Sequence, residues 1–473
     1  MSTDATPTDW VKKFEDECYT RFSAAAREGG CRPATLIGIM QCTRMVVRDG
    51  RCLLHMPKPT KAEKQLLDPV QRIREEALER EFATEIQKMQ IADFSAIHFP
   101  ALEWNQPPYS ALLNRGGTVS FNKAVFYQPV NMTGVTFGSS PSFIKTVFRD
   151  DVNFAVAAFT SGAIFQETVF EKLARFHGCS FEAQTSFTRT YFLGRADFNL
   201  AKVSGILRFV GTDDNTLFKD VADFSRLEIG EKGSVVFELA CLARASFLYS
   251  DLEKMNFRTV EWCGDGRRPF IGTGRARLSD ETLLNHVDAN LRDCEAVGEN
   301  YRQLVLKYEK RRDFEKAEEF HIGEMEVRRY SASCVSEASL IRKLRRGLNP
   351  FLIYRFLSYY GSSYWRAALI LFGFVLLASA GFMIFGLRPT EGQVGLREVR
   401  YVLAPCFCLP PLKDLTVDFR SSLTHVLSIL TFQREKAFEP ASLSAQAWQA
   451  LSSIILTGQG ALVLLAIRRR FKR

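Results

Sequence analysis

A large apolar residue recurs every eleven positions along the middle of the chain: Phe121, Met132, Phe143, Phe154, Phe165, Phe176, Phe187, Phe198 and Phe209. A second series keeps the same step: Phe126, Phe137, Phe148, Phe159, Phe170, Phe181, Phe192 and Val203. The two series interleave at alternating spacings of five and six. Neither the period of about 3.6 of an amphipathic helix nor the alternation of a half-buried strand produces this pattern. A fixed self-similar period is the mark of stacked repeats. Small residues stand two places before many large ones, as in Ala92/Phe94, Ala196/Phe198, Ala222/Phe224 and Ala245/Phe247, with short polar residues between. One large and one small inward residue per extended segment, separated by polar corners, predicts a β-solenoid. Its coils stack about 4.8 Å apart. No coil buries its own Phe; its neighbours do, at ~1.5–3 kcal/mol per side chain. A β-sandwich with Phe-rich strands is the alternative, but it has no reason to hold one period over nine units.

The units start at Phe94, break at Pro107 and Pro108, resume at Phe121, become irregular after Phe209 and fade at Trp262 and Cys263. Upstream, Trp10 to Arg27 has a helix-like pattern. Thr60 to Met89 predicts one helix, with a capping box from Thr60 to Glu63. Its expected buried face is Leu66, Leu67, Val70, Ile73, Ala77, Leu78 and Phe82. A helix here caps the solenoid end, which would otherwise offer open strand edges. Downstream, Gly264 to Arg277 reads as a linker. Leu278 to Arg329 reads as two helices broken near Arg311 to Asp313, similar to one tetratricopeptide-type unit. His321 and Glu324 share a face there; the preferred reading is a solvated pair on the hairpin edge.

Ala367 to Leu387 carries no charge over 21 residues, enough to cross a bilayer core. Tyr359, Tyr360, Tyr364 and Trp365 precede it as expected interfacial anchors. Ala447 to Ile467 is a second such run. Between them, Ser421 to Phe432 predicts a short amphipathic helix, too short to span. The expected boundaries are therefore 1–57 for an N-terminal Cys-containing module, 58–91 for the cap, 92–263 for the solenoid, 264–345 for linker and hairpin, and 346–473 for a two-span module.

The net charge is +9. Much of it sits in Arg342, Lys343, Arg345 and Arg346 and in Arg468, Arg469, Arg470, Lys472 and Arg473, each cluster beside an apolar run. That placement fits membrane flanks better than nucleic-acid contacts, and no nucleic-acid partner is expected. The positive-inside rule then puts both termini in the cytoplasm of a bacterial-type inner (plasma) membrane. The start of the chain lacks the basic and apolar regions of a secretory signal. Eleven Cys, an odd number spread along the chain, do not form a disulfide framework. Cys406 and Cys408 fall on the outward side. Cys31, Cys42, Cys52 and His55 are a candidate zinc set by residue type. A buried module using Cys as a compact apolar residue is the reading preferred over zinc. No phosphate loop, nucleophile elbow or metalloprotease motif is present, and no enzyme is expected.

Ala196-Asp197-Phe198-Asn199-Leu200 and Ala222-Asp223-Phe224-Ser225-Arg226 resemble the unit of the pentapeptide-repeat family. The five-plus-six phasing resembles its Phe-rich branch. The stretch Arg51 to Pro57 and the tail Ala461 to Phe471 resemble its membrane-linked members. The resemblance implies a right-handed quadrilateral β-helix, two eleven-residue units closing one coil. Some soluble members mimic DNA with an acidic rod; here basic and acidic residues alternate, which disfavours that role. Two spans around a short helix are similar to the pore domain of potassium channels. The chain departs from that family at the filter, because Gln433-Arg434-Glu435-Lys436 follows Phe432 with no glycine. The polar residues Gln449, Ser452, Ser453, Thr457 and Gln459, with Thr431, are candidate pore-lining positions. The expected function is a membrane-anchored cytoplasmic scaffold whose solenoid face binds a protein partner. The alternative is an oligomeric, channel-like protein with a non-selective or non-potassium pore, a homo-oligomer through the membrane module.

Overall fold

The computed structural model describes residues 46–48, 51–114, 117–212, 217–265, 274–281, 291–334, 350–390, 398–399, 412–433 and 437–470. The chain divides into two compact units, Met1–Cys263 with Arg277–His286, and Gly264–Ala276 with Val287–Arg473. Trp10 to Arg27, the basic cluster Arg342 to Arg346, and Cys406 and Cys408 lie outside the described residues.

The first unit is a β-solenoid. Four parallel sheets of five or six short strands form its faces. Val147 pairs with Val169, and Val169 with Tyr191, so one coil takes 22 residues (169 − 147). Two eleven-residue units therefore close a coil, as the family resemblance implies. The rings of Phe121, Phe143, Phe165, Phe187 and Phe209 stack into a column with centroids 5.0, 4.6, 4.6 and 4.9 Å apart. Phe126, Phe148, Phe170 and Phe192 form a second column at 4.8, 5.0 and 4.9 Å. All of these rings are buried. Ala174, Ala196, Ala222 and Ala245 pair in succession and are buried as well, which is why small residues precede the large ones.

The corners explain the polar residues. Lys123, Lys145, Glu167 and Arg189 have positive φ, as do Gly134, Val156, Gly178 and Leu200. Left-handed backbone costs a non-glycine residue roughly 1–2 kcal/mol. Short polar side chains close the turns leading into it. The Asn153 Oδ1 accepts from the Ala155 amide at 3.0 Å, Asp197 from Asn199 at 3.1 Å and Asp223 from Ser225 at 3.0 Å. Inside the coil, Thr146 donates to the Phe121 carbonyl at 2.7 Å and Thr168 to the Phe143 carbonyl at 2.6 Å; Thr190 does the same to Phe165.

The breaks in the sequence pattern are changes of corner length. The insertion at Pro107 and Pro108 separates His98 from its ladder partner Val125. After Phe209 the partners are Ile206 with Ser234, Ala222 with Ala245, and Val235 with Met255. Those steps are 28, 23 and 20 residues (234 − 206, 245 − 222, 255 − 235). The column nonetheless continues through Phe237 and Phe257 at 5.2 and 5.7 Å.

The solenoid start differs from the expectation of one helix. The Thr60–Glu63 capping box forms, but it opens only α1 (Lys61–Leu66). Asp68 then caps a second helix, α2 (Pro69–Gln87), with Pro69 in its first turn. Proline lacks the amide that a continuous helix needs and pushes the preceding residue into extended backbone. Leu66, Val70 and Ile73 are consequently exposed, Leu66 at 86%, instead of forming a buried face. The packed residues are Phe82 and Ile86, with the Phe82 ring 5.7 Å from Phe99. The insertion at Pro107 and Pro108 carries a short helix, α3 (Tyr109–Asn114).

The second unit is helical. Helices α4 (Leu291–Lys310) and α5 (Phe314–Cys334) form a hairpin broken at Arg311 to Asp313, as the sequence predicts. Tyr301, Leu304 and Phe320 are its core. Gly323 admits the Tyr301 ring so closely that a Cβ would stand 2.2 Å from its Cε1. A short helix, α6 (Pro350–Ser358), leads through a tight elbow at Tyr359, Tyr360 and Gly361, all with positive φ, into α7 (Tyr364–Phe385). Helices α8 (Leu412–Leu430) and α9 (Leu443–Arg470) complete the unit. Strands Leu387–Pro389 and Phe438–Pro440 pair antiparallel. Val375, Phe382, Val426 and Leu456 belong to one core cluster. Trp448 seats its Nε1 on the Ala378 carbonyl at 3.2 Å and its ring over Gly381. Helix α8 begins at Leu412, not Ser421. Its apolar contacts run back through Leu423 and Phe419 to Leu415, past the charged residues that concealed this periodicity.

Candidate functional site

A bonded polar region of the second unit lies where α5, the α6–α7 elbow and the end of α9 meet. Glu326 on α5 is only 4% exposed. It accepts from Arg329 at 2.7 Å and from the Tyr360 hydroxyl at 3.1 Å, and pairs with Arg355 at 3.3 Å. Burial and the Glu326 carboxylate push the Tyr360 phenol up. Tyr360 is fully buried beside Ile322 and Met325, so it is a packing residue and not an interfacial anchor. Two residues earlier on α5, Glu324 pairs with Arg328 at 2.6 Å and lies 3.7 Å from His321. Burial raises the Glu324 pKa, but His321, Arg328 and Arg302 outweigh it and hold the group below the ordinary carboxylate value. The pair is therefore not a solvated edge, because Glu324 is buried. From α9, Arg469 Nη1 donates to the Tyr360 carbonyl at 2.7 Å and approaches His321 Nε2 at 2.9 Å. Arginine has no acceptor, so His321 Nε2 accepts and its Nδ1 carries the proton toward Glu324. A cavity of about 480 Å³ lies beside this junction, lined by Arg312, Asp313, Glu318, His321 and Arg469 among others.

The polar residues of α9 fall on two stripes. Ser452 and Gln459, seven apart, face inward. Gln459 is 2% exposed, and its Nε2 donates to the Ala367 carbonyl at 2.9 Å and the Leu357 carbonyl at 3.2 Å. It ties α9 to α7 and α6, while its Oε1 is buried with no partner. Gln449, Ser453 and Thr457, at successive intervals of four, run from half-buried to exposed on a neighbouring face. Ser453 donates back to the Ala450 carbonyl at 2.9 Å. Thr431 is exposed, its hydroxyl on the Leu427 carbonyl at 2.8 Å. Leu430, the last residue of α8, reaches Gly460, where a Cβ would stand 3.7 Å from its Cδ1. Seventeen residues separate Gly460 from the start of α9 at Leu443, a rise of about 25 Å. The C-terminus of α8 thus ends well down the length of α9, and the chain returns to pair at Phe438 with Pro389. Buried on α8 are Asp418, Ser422 and His425, with the His425 ring edge-on to Phe382 at 4.8 Å. Sequence reasoning did not single them out, although Asp418 and His425 recur at helical spacing within an apolar pattern.

The solenoid surface is a lattice of opposite charges. Lys172 pairs with Asp150 at 2.7 Å, Arg195 with Asp223 at 3.3 Å, Lys202 with Glu228 at 3.2 Å and Arg208 with Glu238 at 2.8 Å. Each pair links one coil to the next. Such exposed pairs contribute only ~0–1 kcal/mol, but they leave the faces without a dominant sign. Residues 121–169 and 165–213 match the family described as pentapeptide repeats (9 copies). This stretch is a pentapeptide-repeat solenoid. No curated protein and no solved structure compared with the chain matches it.

At the start of the pentapeptide-repeat solenoid, strands Val46–Arg48 and Arg51–Cys52 pair antiparallel. The turn that follows brings Cys52 Sγ within 3.1 Å of His55 Nδ1, both buried. Of the four candidate zinc ligands these two come together; Cys31 and Cys42 lie outside the described residues. Among the described residues no group of three or more metal-ligating side chains occurs. Nearby His98 bonds Tyr127 at 2.9 Å, and burial, with Arg51, His55 and Lys58 around it, lowers its pKa to about 3.

Proposed function

We infer that the protein is a membrane-anchored scaffold, its pentapeptide-repeat solenoid presenting a rigid, mixed-charge surface to a protein partner. The observation carrying this reading is the pair of apolar helices. Tyr364–Phe385 has 22 residues at a mean hydropathy of 2.5, and Leu443–Arg469 has 27 at 2.0. Their outer faces, including Leu369, Phe372, Ile454 and Leu464, are exposed. Buried faces would mark core helices of a soluble protein; exposed ones this apolar need lipid or another apolar surface. Arg366 and Arg469 sit at the same end of the unit, since Arg469 bonds the elbow from which α7 starts. By the positive-inside rule that end is cytoplasmic, with both termini, in a bacterial-type inner membrane. The test is alkaline carbonate extraction of the full-length chain from cell membranes. The anchor reading requires the protein to stay in the pellet, and release into the supernatant would overturn it.

A second reading has its own support. Helix α8 points its C-terminus, the negative end of the helix dipole, into the depth of the module. The stripe of Gln449, Ser453 and Thr457 gives an otherwise lipid-suited helix a polar flank. In a homo-oligomer those stripes would line water, and the carbonyl end of α8 would favour cations. Single-channel recording in planar bilayers tests this. Discrete cation currents altered by Thr457→Val are expected, and silence across voltages and ions removes the reading.

A further inference from the structure

We propose that α6 is an interfacial helix whose outer face lies on lipid, at the boundary of headgroups and acyl chains in the leaflet at the Arg469 end. The proposal rests on the anchor reading of α7 and α9. Helix α6 has nine residues, too few to cross a bilayer. Its two sides differ. Leu352, Ile353 and Phe356 share about 100° of the helix surface. They are 41%, 43% and 61% exposed. The other side holds Phe351 and Tyr354, packed against Ile322, Met325 and Tyr360. Arg355, the single charge on α6, pairs with Glu326 of α5 at 3.3 Å. A surface helix in water turns its polar side outward. Helix α6 does the reverse: its charge meets protein, and the residues it exposes most are apolar.

Two further observations say what covers that face. The first is depth. Arg366 Nε, in the first turn of α7, donates to the Phe356 carbonyl at 2.9 Å. Gln459 Nε2 bridges the carbonyls of Leu357 and Ala367. Helix α6 therefore ends level with the first turn of α7, where the uncharged run from Ala367 begins. The Arg366 guanidinium stands 5.6 Å from the Phe356 ring centroid, a charged head over an apolar body as at a membrane boundary. Beside Arg366, Trp365 opens the exposed face that Leu369 and Phe372 continue along α7. The second is sealing. The last four carbonyls of a helix lack partners within it, and water commonly serves them. Here the Arg355 carbonyl accepts from the Tyr359 amide at 2.9 Å and that of Ser358 from the Gly361 amide at 3.1 Å. Arg366 and Gln459 take those of Phe356 and Leu357. No carbonyl at this end depends on water, which is what contact with lipid demands. An apolar helix face laid in the interface without spanning it fits all three observations. Helix α6 thereby seats α5, through Glu326, on the leaflet.

The experiment is photo-crosslinking of the full-length chain in vesicles of phosphatidylethanolamine and phosphatidylglycerol. Leu352, Ile353 and Phe356 are replaced singly by p-benzoylphenylalanine, and adducts are read by peptide mass spectrometry. Phe372, on the exposed face of α7, is the lipid-facing reference; Phe351, on the packed side of α6, is the protein-facing one. Phospholipid adducts at all three positions should reach at least half the yield at Phe372. The yield at Phe351 should be a tenth of it or less, with cross-links to α5 instead. Lipid adducts at Phe372 with none at Leu352, Ile353 and Phe356, or with cross-links there to protein alone, overturn the proposal and leave the anchor reading standing. Equal lipid yields at Phe351 and Phe356 do the same. Absence of lipid adducts at Phe372 itself removes the anchor reading, and the proposal with it.

Discussion

Phe165→Ala is the most direct test of the stacked columns. The Phe165 ring lies between Phe143 and Phe187, 4.6 Å from each and within 1° and 5° of parallel. Its edges meet Phe154 at 6.2 Å, Phe159 at 6.2 Å and Phe176 at 5.8 Å. It is fully buried. Truncating such a ring costs about 3–5 kcal/mol through lost transfer energy and the cavity left behind. Two stacked partners, each worth about 0.5–1.5 kcal/mol beyond burial, place this site in the upper half of that range. Neighbouring coils cannot close the gap, because their backbones are held in register by ladder hydrogen bonds. The chain has two units, so one melting temperature mixes them; native-state hydrogen exchange read residue by residue does not. Amides in the coils from Phe143 to Phe209 should exchange roughly a thousandfold faster, about 4 kcal/mol at 1.4 kcal/mol per decade. Those of α4 and α5 should not change. Arg175→Ala, on the exposed side of the same coil, should shift exchange by less than about 0.5 kcal/mol. An acceleration under tenfold at Phe165→Ala would refute the argument that each ring is buried by its neighbours.

Gly381→Ala places a Cβ about 2.2 Å from the Trp448 ring; the overpacking should destabilise the α7–α9 contact by about 1–3 kcal/mol, measured as a lower unfolding temperature in detergent. Glu324 has a folded pKa below its ordinary value of 4.5 despite burial. Its contribution is therefore present above about pH 4.5 and is lost as pH falls through the lower folded value, so exchange protection at the α5–α9 junction should drop on acidification below that point. Glu324→Gln should flatten this dependence. Cys179 is buried with its Sγ on the Phe154 carbonyl at 2.9 Å, and burial pushes its thiol pKa up. It should resist alkylation in the native protein while the exposed Cys263 reacts, as peptide mass mapping would register.

The solenoid was legible because its constraint is strict. The inward positions carry a large apolar or a small residue at one spacing, so the period survives in the sequence. The corners obey no such rule beyond turn chemistry, which is why the insertion at Pro107, with its short helix, and the uneven steps after Phe209 looked like decay although the ladder runs on through them. The cap helix misled because Thr60 and Glu63 are a true capping box, while Pro69 and Asp68 restart the helix a few residues on. Polar residues in α9 were visible as exceptions to an apolar run. Their division into an inward tie at Gln459 and an outer stripe at Gln449, Ser453 and Thr457 depends on which neighbours the helix meets. The junction of Glu324, Glu326, Tyr360 and Arg469 was hidden for a simpler reason. His321 and Arg469 are 148 residues apart, and nothing local in either segment names the other.

The separation between fixed columns and free corners makes the rod a ruler. Gain or loss of one 22-residue coil, the step from Val147 to Val169, changes its length by about 4.8 Å and leaves the contacts of every remaining coil as they were. Length is thereby a quantity the solenoid can change in whole steps, by duplication or deletion of one segment, without redesigning the helix that packs on its first coil.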